Sequence, residues 1–227
     1  MISKLPKWVE YGAFILAFIA GNINVIGLLG FEHQAVSHIS GTVTLVGSSL
    51  FESSYTHTFH LLGVLLAFYL GASVPGYLVH GTTLKLGKHY DTVLFAEAIL
   101  IFVAFYLLSS GSQLGHFAAS AACGMQNGLA TTYSGAIVRT THLTGIFTDL
   151  GLMLGARLRG NKFDKRKAIL FLFIICGFVS GSVLGAFLYK TLQFKALLVP
   201  AIFCLVIATI YRTYFKKMNK KVLASSC

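Results

Sequence analysis

Eight apolar stretches, separated by short polar or basic segments, take up most of the 227-residue chain. They run over residues 8–29, 34–50, 59–79, 92–108, 114–131, 139–155, 168–189 and 194–214. A helix of about 20 apolar residues matches the thickness of a bilayer's hydrocarbon core. Only 11% of the residues are charged, against about 25% in a soluble domain. Hydrophobic residues make up 56% and the mean hydropathy is +0.75. A disordered chain and a water-soluble globule are both excluded, and almost nothing is left for a soluble domain. The expected fold class is all-α integral membrane, one transmembrane domain over residues 1–227 in contact with the lipid bilayer.

Lys and Arg number 18 and Asp and Glu 7, a formal charge of +11. The basic residues lie between apolar stretches, where they orient the chain by the positive-inside rule. The charge therefore concerns topology, and no nucleic-acid partner is expected. Cys123, Cys176, Cys204 and Cys227 lack metal-ligand spacing, and three lie inside apolar stretches as small hydrophobes. No disulfide framework, metal or cofactor is expected. Residues 1–10 lead into an apolar run without a small-residue cleavage site, so the run reads as a retained first span.

The two halves are alike. Gly21-Asn-Ile-Asn24 returns 103 residues later as Gly124-Met-Gln-Asn127. His38-Ile-Ser-Gly41 returns 104 residues later as His142-Leu-Thr-Gly145, with Thr44 matched by Thr148 and Gly47 by Gly151. Gly71 aligns with Gly181. The order of these matches predicts two repeats of four elements, over residues 8–110 and 114–214.

Basic residues choose between eight spans and six. If the N-terminus is inside and all eight stretches span, 13 Lys and Arg fall inside and 5 outside. If the second and sixth stretches dip in and return, Lys85, Lys88 and Arg139 move inside and the split becomes 16 to 2. The second arrangement obeys the rule better and explains why these stretches are rich in Ser, Thr and Gly. Each repeat then has three spans, so the repeats are inverted. Inverted repeats with broken helices meeting near the midplane mark transporters and channels. Breaks are expected at Gly21–Asn24 and, after the fifth stretch, at Ser134-Gly135, with the two polar elements facing each other.

The polar residues at matching places form the candidate binding site: Asn24, His38, Ser40, Thr44, Gln126, Asn127, His142, Thr144 and Thr148, joined by Asp149. They offer donors and acceptors with little fixed charge. Gly41 and Gly145 let the chain break or approach closely, and freed amides at a half-helix N-terminus favour an anion. The same residue types also glue membrane helices together. His38 and His142 could relay protons. Asp149 and Glu97 are acids inside apolar stretches, where acids suggest function. Arg139 is a partner for Asp149 only across a break, and Glu97 is expected at the interface. Gly177, Gly181 and Gly185 are spaced for close helix packing, within one chain or in a homodimer. Tyr211 and Tyr214 suit an aromatic belt.

The motifs Gly21–Asn24, His38–Gly41, Gly124–Asn127, Ala130-Thr-Thr-Tyr133 and His142–Gly145 together resemble the YoaK-like family of bacterial inner-membrane proteins, over nearly the whole chain. The resemblance implies six spans. It also implies Asp where this chain has Asn24, and Thr-Gly-Asn where it has Ser40-Gly41-Thr42.

No zinc-protease, nucleophile-elbow or phosphate-loop motif is present. The expected function is a small secondary transporter or channel, not an enzyme. It would move a small polar or anionic solute across the inner membrane, with both termini cytoplasmic and the site at the repeat interface. The alternatives are a membrane-embedded enzyme using His38, His142 and Asp149, and a non-catalytic assembly partner.

Overall fold

The computed structural model describes residues 8–30, 36–79, 89–134 and 138–225. Lys4, Lys7, Lys85, Lys88, Gly135 and the first residues of the second stretch lie outside them. The helices are α1 (Trp8–Gly30), α2 (Ile39–Phe51), α3 (Tyr55–Leu78), α4 (Tyr90–Ser109), α5 (Leu114–Ser134), α6 (Leu143–Leu158), α7 (Lys165–Leu192) and α8 (Leu198–Ser225). A 3-10 turn (Gln193–Leu197) joins the last two, and no strand occurs among the described residues.

Local chemistry sets several boundaries. The Asp164 carboxylate accepts the Lys167 N–H at 3.0 Å and caps α7. Past the ends of α4 and α6 the chain turns on Gly111 and Gly160, at φ +80° and +91°. Glycine reaches that left-handed region without steric cost. The turn lets the Ser112 and Asn161 N–H groups donate back to Leu107 and Ala156 at 2.9 and 3.1 Å. The expected break at Gly21–Asn24 is absent, since α1 runs through it unbroken, as α5 runs through Gly124–Asn127. These glycines serve close approach instead. A Cβ at Gly21 would overlap the Phe178 carbonyl, and one at Gly124 the Phe68 carbonyl.

Four stretches are long and apolar enough to cross a membrane: Val9–Gly30, Tyr55–Leu78, Tyr90–Ser109 and Lys165–Lys217, the last holding α7 and much of α8. Tyr69, Val183, Phe187, Val206 and Ile210 point outward, as side chains meeting lipid do. The chain is a membrane protein. Helix α5 is more polar than α1, α3, α4 and α7, yet it is enclosed, packed by α1, α3 and α4. Helices α2 and α6 have 13 and 16 residues. They are roughly 20 and 24 Å long at 1.5 Å per residue, short of the ~30 Å hydrocarbon core.

The two halves exchange partners. The largest packing seams join α1 to α7 and α3 to α5. Gly181 packs on Phe18 as Gly71 packs on Ala121, and Gly21 packs on Phe178 as Gly124 packs on Phe68. Register gives the directions. Along one seam Phe14 meets Gly177, Phe18 meets Gly181 and Asn22 meets Gly185, so α1 and α7 run parallel. Along the other, Phe117 meets Gly63, Ala121 meets Gly71 and Gly128 meets Pro75, so α3 and α5 also run parallel. The seams oppose each other, because Gln126 of α5 reaches Leu16 of α1 while Val9 clusters with Tyr133. Helix α4 runs against α8, with Tyr90 on Tyr211 and Asp91 paired to Arg212 at 3.8 Å. Gly177, Gly181 and Gly185 are thus filled by α1 of the same chain, which withdraws them as a homodimer face.

Candidate functional site

Each short helix begins on a histidine that an asparagine holds at depth. Asn24 lies six residues before the end of α1, about 9 Å along the axis. Its Oδ1 accepts the Ser37 N–H at 3.1 Å and the Ser37 hydroxyl at 2.8 Å. Ser37 immediately precedes His38, the N-cap of α2. The chain has therefore turned back below the end of α1 before α2 starts. The second half repeats the device. Asn127 Oδ1 accepts the Thr140 hydroxyl at 3.3 Å and the Thr141 N–H at 3.4 Å. Its Nδ2 donates to the Thr141 hydroxyl at 2.6 Å and to the Cys123 carbonyl at 3.2 Å. Thr141 immediately precedes His142, the N-cap of α6.

The His-x-x-Gly spacing has a packing cause. A Cβ on Gly41 would overlap the His38 ring, and one on Gly145 the His142 ring. Each imidazole lies over the bare glycine three residues on, and neither caps its helix by a side-chain hydrogen bond. Among the described residues no side chain accepts from the first amides of α2 and α6. The obstacle at Gly145 is a mobile ring tip. Gly145→Ala should therefore leave the melting temperature within a few degrees, with up to about 1 kcal/mol of helix propensity offsetting lost contact. The His142 ring resonances of labelled protein should move to their exposed positions, and unchanged resonances would contradict this packing.

The remaining expected residues divide between these stations. The Thr44 hydroxyl donates to Ser40 O at 3.0 Å, and the Thr148 hydroxyl to Thr144 O at 2.9 Å. All four are exposed. Asp149 pairs with Lys167 of α7 at 2.9 Å. Arg139 is not its partner, because the α6–α7 turn folds Lys167 back alongside α6. Helix α2 packs on α3 and α6 on α7, and α2 does not touch α6. The two polar elements therefore do not face each other, since α1/α7 and α3/α5 lie between them. Among the described residues Asp149 has its ion pair with Lys167 and with neither His38 nor His142. The Gln126 amide donates to the Leu16 carbonyl, which places it in the central core rather than at either station.

Sequence reasoning missed that core. Glu97 is fully buried, at 0% exposure, and not at the interface. The Cys204 thiol lies beside its carboxyl, yet neither carboxyl oxygen makes a hydrogen bond of ordinary geometry. Asn22 is also 0% exposed, with neither amide atom bonded, and Gln126 Oε1 is buried and unbonded. Asn22 shares its helical stripe with Ile19 and Ile26, which pack into the cluster of α4, α5 and α8 side chains. Below this level a cavity of about 140 Å³ opens between α1, α4, α5 and α8. Leu16 and Leu94 line it, and Tyr90, Tyr133 and Tyr211 gather along it with ring centroids 5.7 and 5.9 Å apart. The sequence signal was the position of Glu97 between apolar neighbours on both sides. A second polar contact, His60 Nε2 to His116 Nδ1 at 3.1 Å, joins α3 to α5. No spacing could announce it, because the two residues stand on different helices.

A family model described as "Protein of unknown function (DUF1275)" matches residues 12–210. No curated protein and no solved structure matches the chain.

Proposed function

We propose, for a chain that belongs to the DUF1275 family, a role as a small secondary transporter or channel for a small polar or anionic solute. The observation that carries this reading is the exchange of partners between halves that run in opposite directions. Helices α1, α3 and α4 alternate one way, and α5, α7 and α8 the other. That pattern supports two inverted repeats, residues 8–110 and 114–214, each with three spans and one half-length helix entering from its own side. The half-helix N-termini at His38 and His142, with Ser40 and Thr144 in the first turn, supply the positive dipole ends that attract anionic groups. Rocking of α1/α7 against α3/α5 would open one face and then the other. The YoaK-like motifs and the excess of basic residues between stretches favour the bacterial inner membrane with both termini cytoplasmic.

Topology is tested by labelling. Cysteines are placed at Ser53, Ser112 and Asn161, with Cys176 and Cys227 replaced by alanine. The six-span reading puts Ser53 and Ser112 on the outer side and Asn161 on the inner side. A membrane-impermeant maleimide should therefore label the first two in intact cells and the third only after permeabilisation. Eight spans would place all three on one side. Transport is tested with purified protein in liposomes and a panel of small anions, amino acids and bases. At least one solute should be taken up and should raise the melting temperature, and His142→Ala should lose both responses. No flux and no shift across the panel would end the reading.

A further inference from the structure

The buried carboxyl of Glu97 is the group least explained by packing. An aliphatic side chain would fill its place without orphaning polar atoms. No Lys, Arg or His pairs with it among the described residues. The titratable groups facing it are the thiols of Cys123 from α5 and Cys204 from α8. The hydrophobic cluster that holds both cysteines also takes in Ile19 and Ile23 from α1, Phe68 from α3, and Ala196 and Leu197 from the 3-10 turn. An ionised carboxylate in such surroundings carries a heavy desolvation penalty. Two further observations mark its surroundings. The buried Asn22 Nδ2 is a free donor in the same core, and Gln126 Oε1 a free acceptor. The cavity also approaches the acid from one end. Leu94 lies one turn before Glu97 on α4, and Leu16 accepts the Gln126 amide.

We propose that Glu97 is a proton-binding site in the middle of the membrane, exchanging its proton with water that enters through the tyrosine-lined cavity between α1, α4, α5 and α8. The step breaks the carboxyl O–H bond and hands the proton to a cavity water, and rebinding reverses it. The acid is neutral when apolar neighbours close over it and charged when water reaches it, which ties proton occupancy to the conformational exchange of a carrier. This deepens the transporter reading and rests on it.

Infrared spectroscopy of the full chain in lipid bilayers tests the proposal without knowledge of the solute. At neutral pH the wild type should show the carbonyl band of a protonated carboxylic acid. That band should shift when H2O is replaced by D2O, fade in alkali, and be lost in Glu97→Gln. Leu94→Trp, which fills the cavity, should slow the deuterium shift. If Glu97→Gln does not fold, Glu97→Asp should move the band instead. A Glu97-dependent band that never exchanges, or no such band, overturns the proposal. Solute flux separates the two readings. Flux unchanged in Glu97→Gln with no exchanging band leaves the transporter standing and removes the proton site. An exchanging Glu97 band with no flux for any solute does the reverse.

Discussion

Gly181→Ala is expected to destabilise the protein by about 1–3 kcal/mol, the cost of overpacking a close contact, although alanine favours a helix by up to about 1 kcal/mol over glycine. The added methyl would meet the Phe18 backbone, with its carbonyl carbon at 2.7 Å and its Cα at 2.9 Å. Backbone cannot swing aside as a side chain can, so α1 and α7 must separate along the seam. Gly71→Ala meets the Ala121 backbone in the same way, at 2.7 and 2.8 Å, and should cost as much. The two changes strain different seams, so their effects should add, and the double variant should scarcely survive purification. Gly151→Ala and Gly155→Ala supply the contrast, because nothing lies within 4 Å of either new Cβ. They should be neutral or slightly stabilising. Thermal unfolding in detergent measures all of these, and Gly181→Ala as stable as Gly151→Ala would refute the seam.

The second large effect separates two asparagines that the sequence makes equivalent. Among the described residues Asn24 uses only its oxygen, accepting twice from Ser37. Asn127 uses both ends, and its amide nitrogen donates to Thr141 and Cys123. A carboxylate can accept but not donate. Asn24→Asp should therefore fold with near-wild-type stability, which agrees with the Asp implied there by the YoaK-like resemblance. Asn127→Asp should lose its donor bonds and set a carboxylate oxygen against the Cys123 carbonyl, with the Thr141 hydroxyl forced to turn and donate instead. Leaving buried polar groups unmatched costs about 1–3 kcal/mol each, so this variant should unfold at clearly lower temperature. Asn127→Ala should also weaken the protein more than Asn24→Ala, because it strips the fully buried Thr140 of its partner as well. Equal behaviour of the two Asp variants would remove this account of the motif.

The helical membrane architecture was legible because apolar length and charge depletion are properties of the chain itself. The matched motifs were legible too, and their recurrence pointed to Asn24, His38, Asn127 and His142 as places where something is held. What they hold was not legible. Asn24 grips Ser37 and Asn127 grips Thr141, and both gripped residues lie outside the matched motifs. The expected break at Gly21–Asn24 failed because a glycine beside polar residues signals either an unwound helix or a close neighbour, and only the facing helix decides. Gly21 has Phe178 against it. Gly151 keeps the spacing of a packing motif and has nothing against it. Asp149 and Glu97 exchanged roles for a similar reason. Helix α6 lies on the outside, where Lys167 can reach Asp149, while α4 packs against α5 and α8, which bury the acid on its inner face.

The exchange of partners between halves also sets a timetable for biosynthesis. Helix α1 leaves the ribosome first, yet the helix that covers its small-residue seam is α7, whose first residue comes 135 positions after the end of α1. At roughly 5–20 residues per second this is an interval of about 7–27 seconds. During that time the nascent α1 is inserted without its mate, with Gly21 and Asn22 turned toward lipid or toward another protein. Translation stalled before α7 would leave a chain that is inserted but not assembled, and such a fragment is a natural client for membrane chaperones and quality-control proteases.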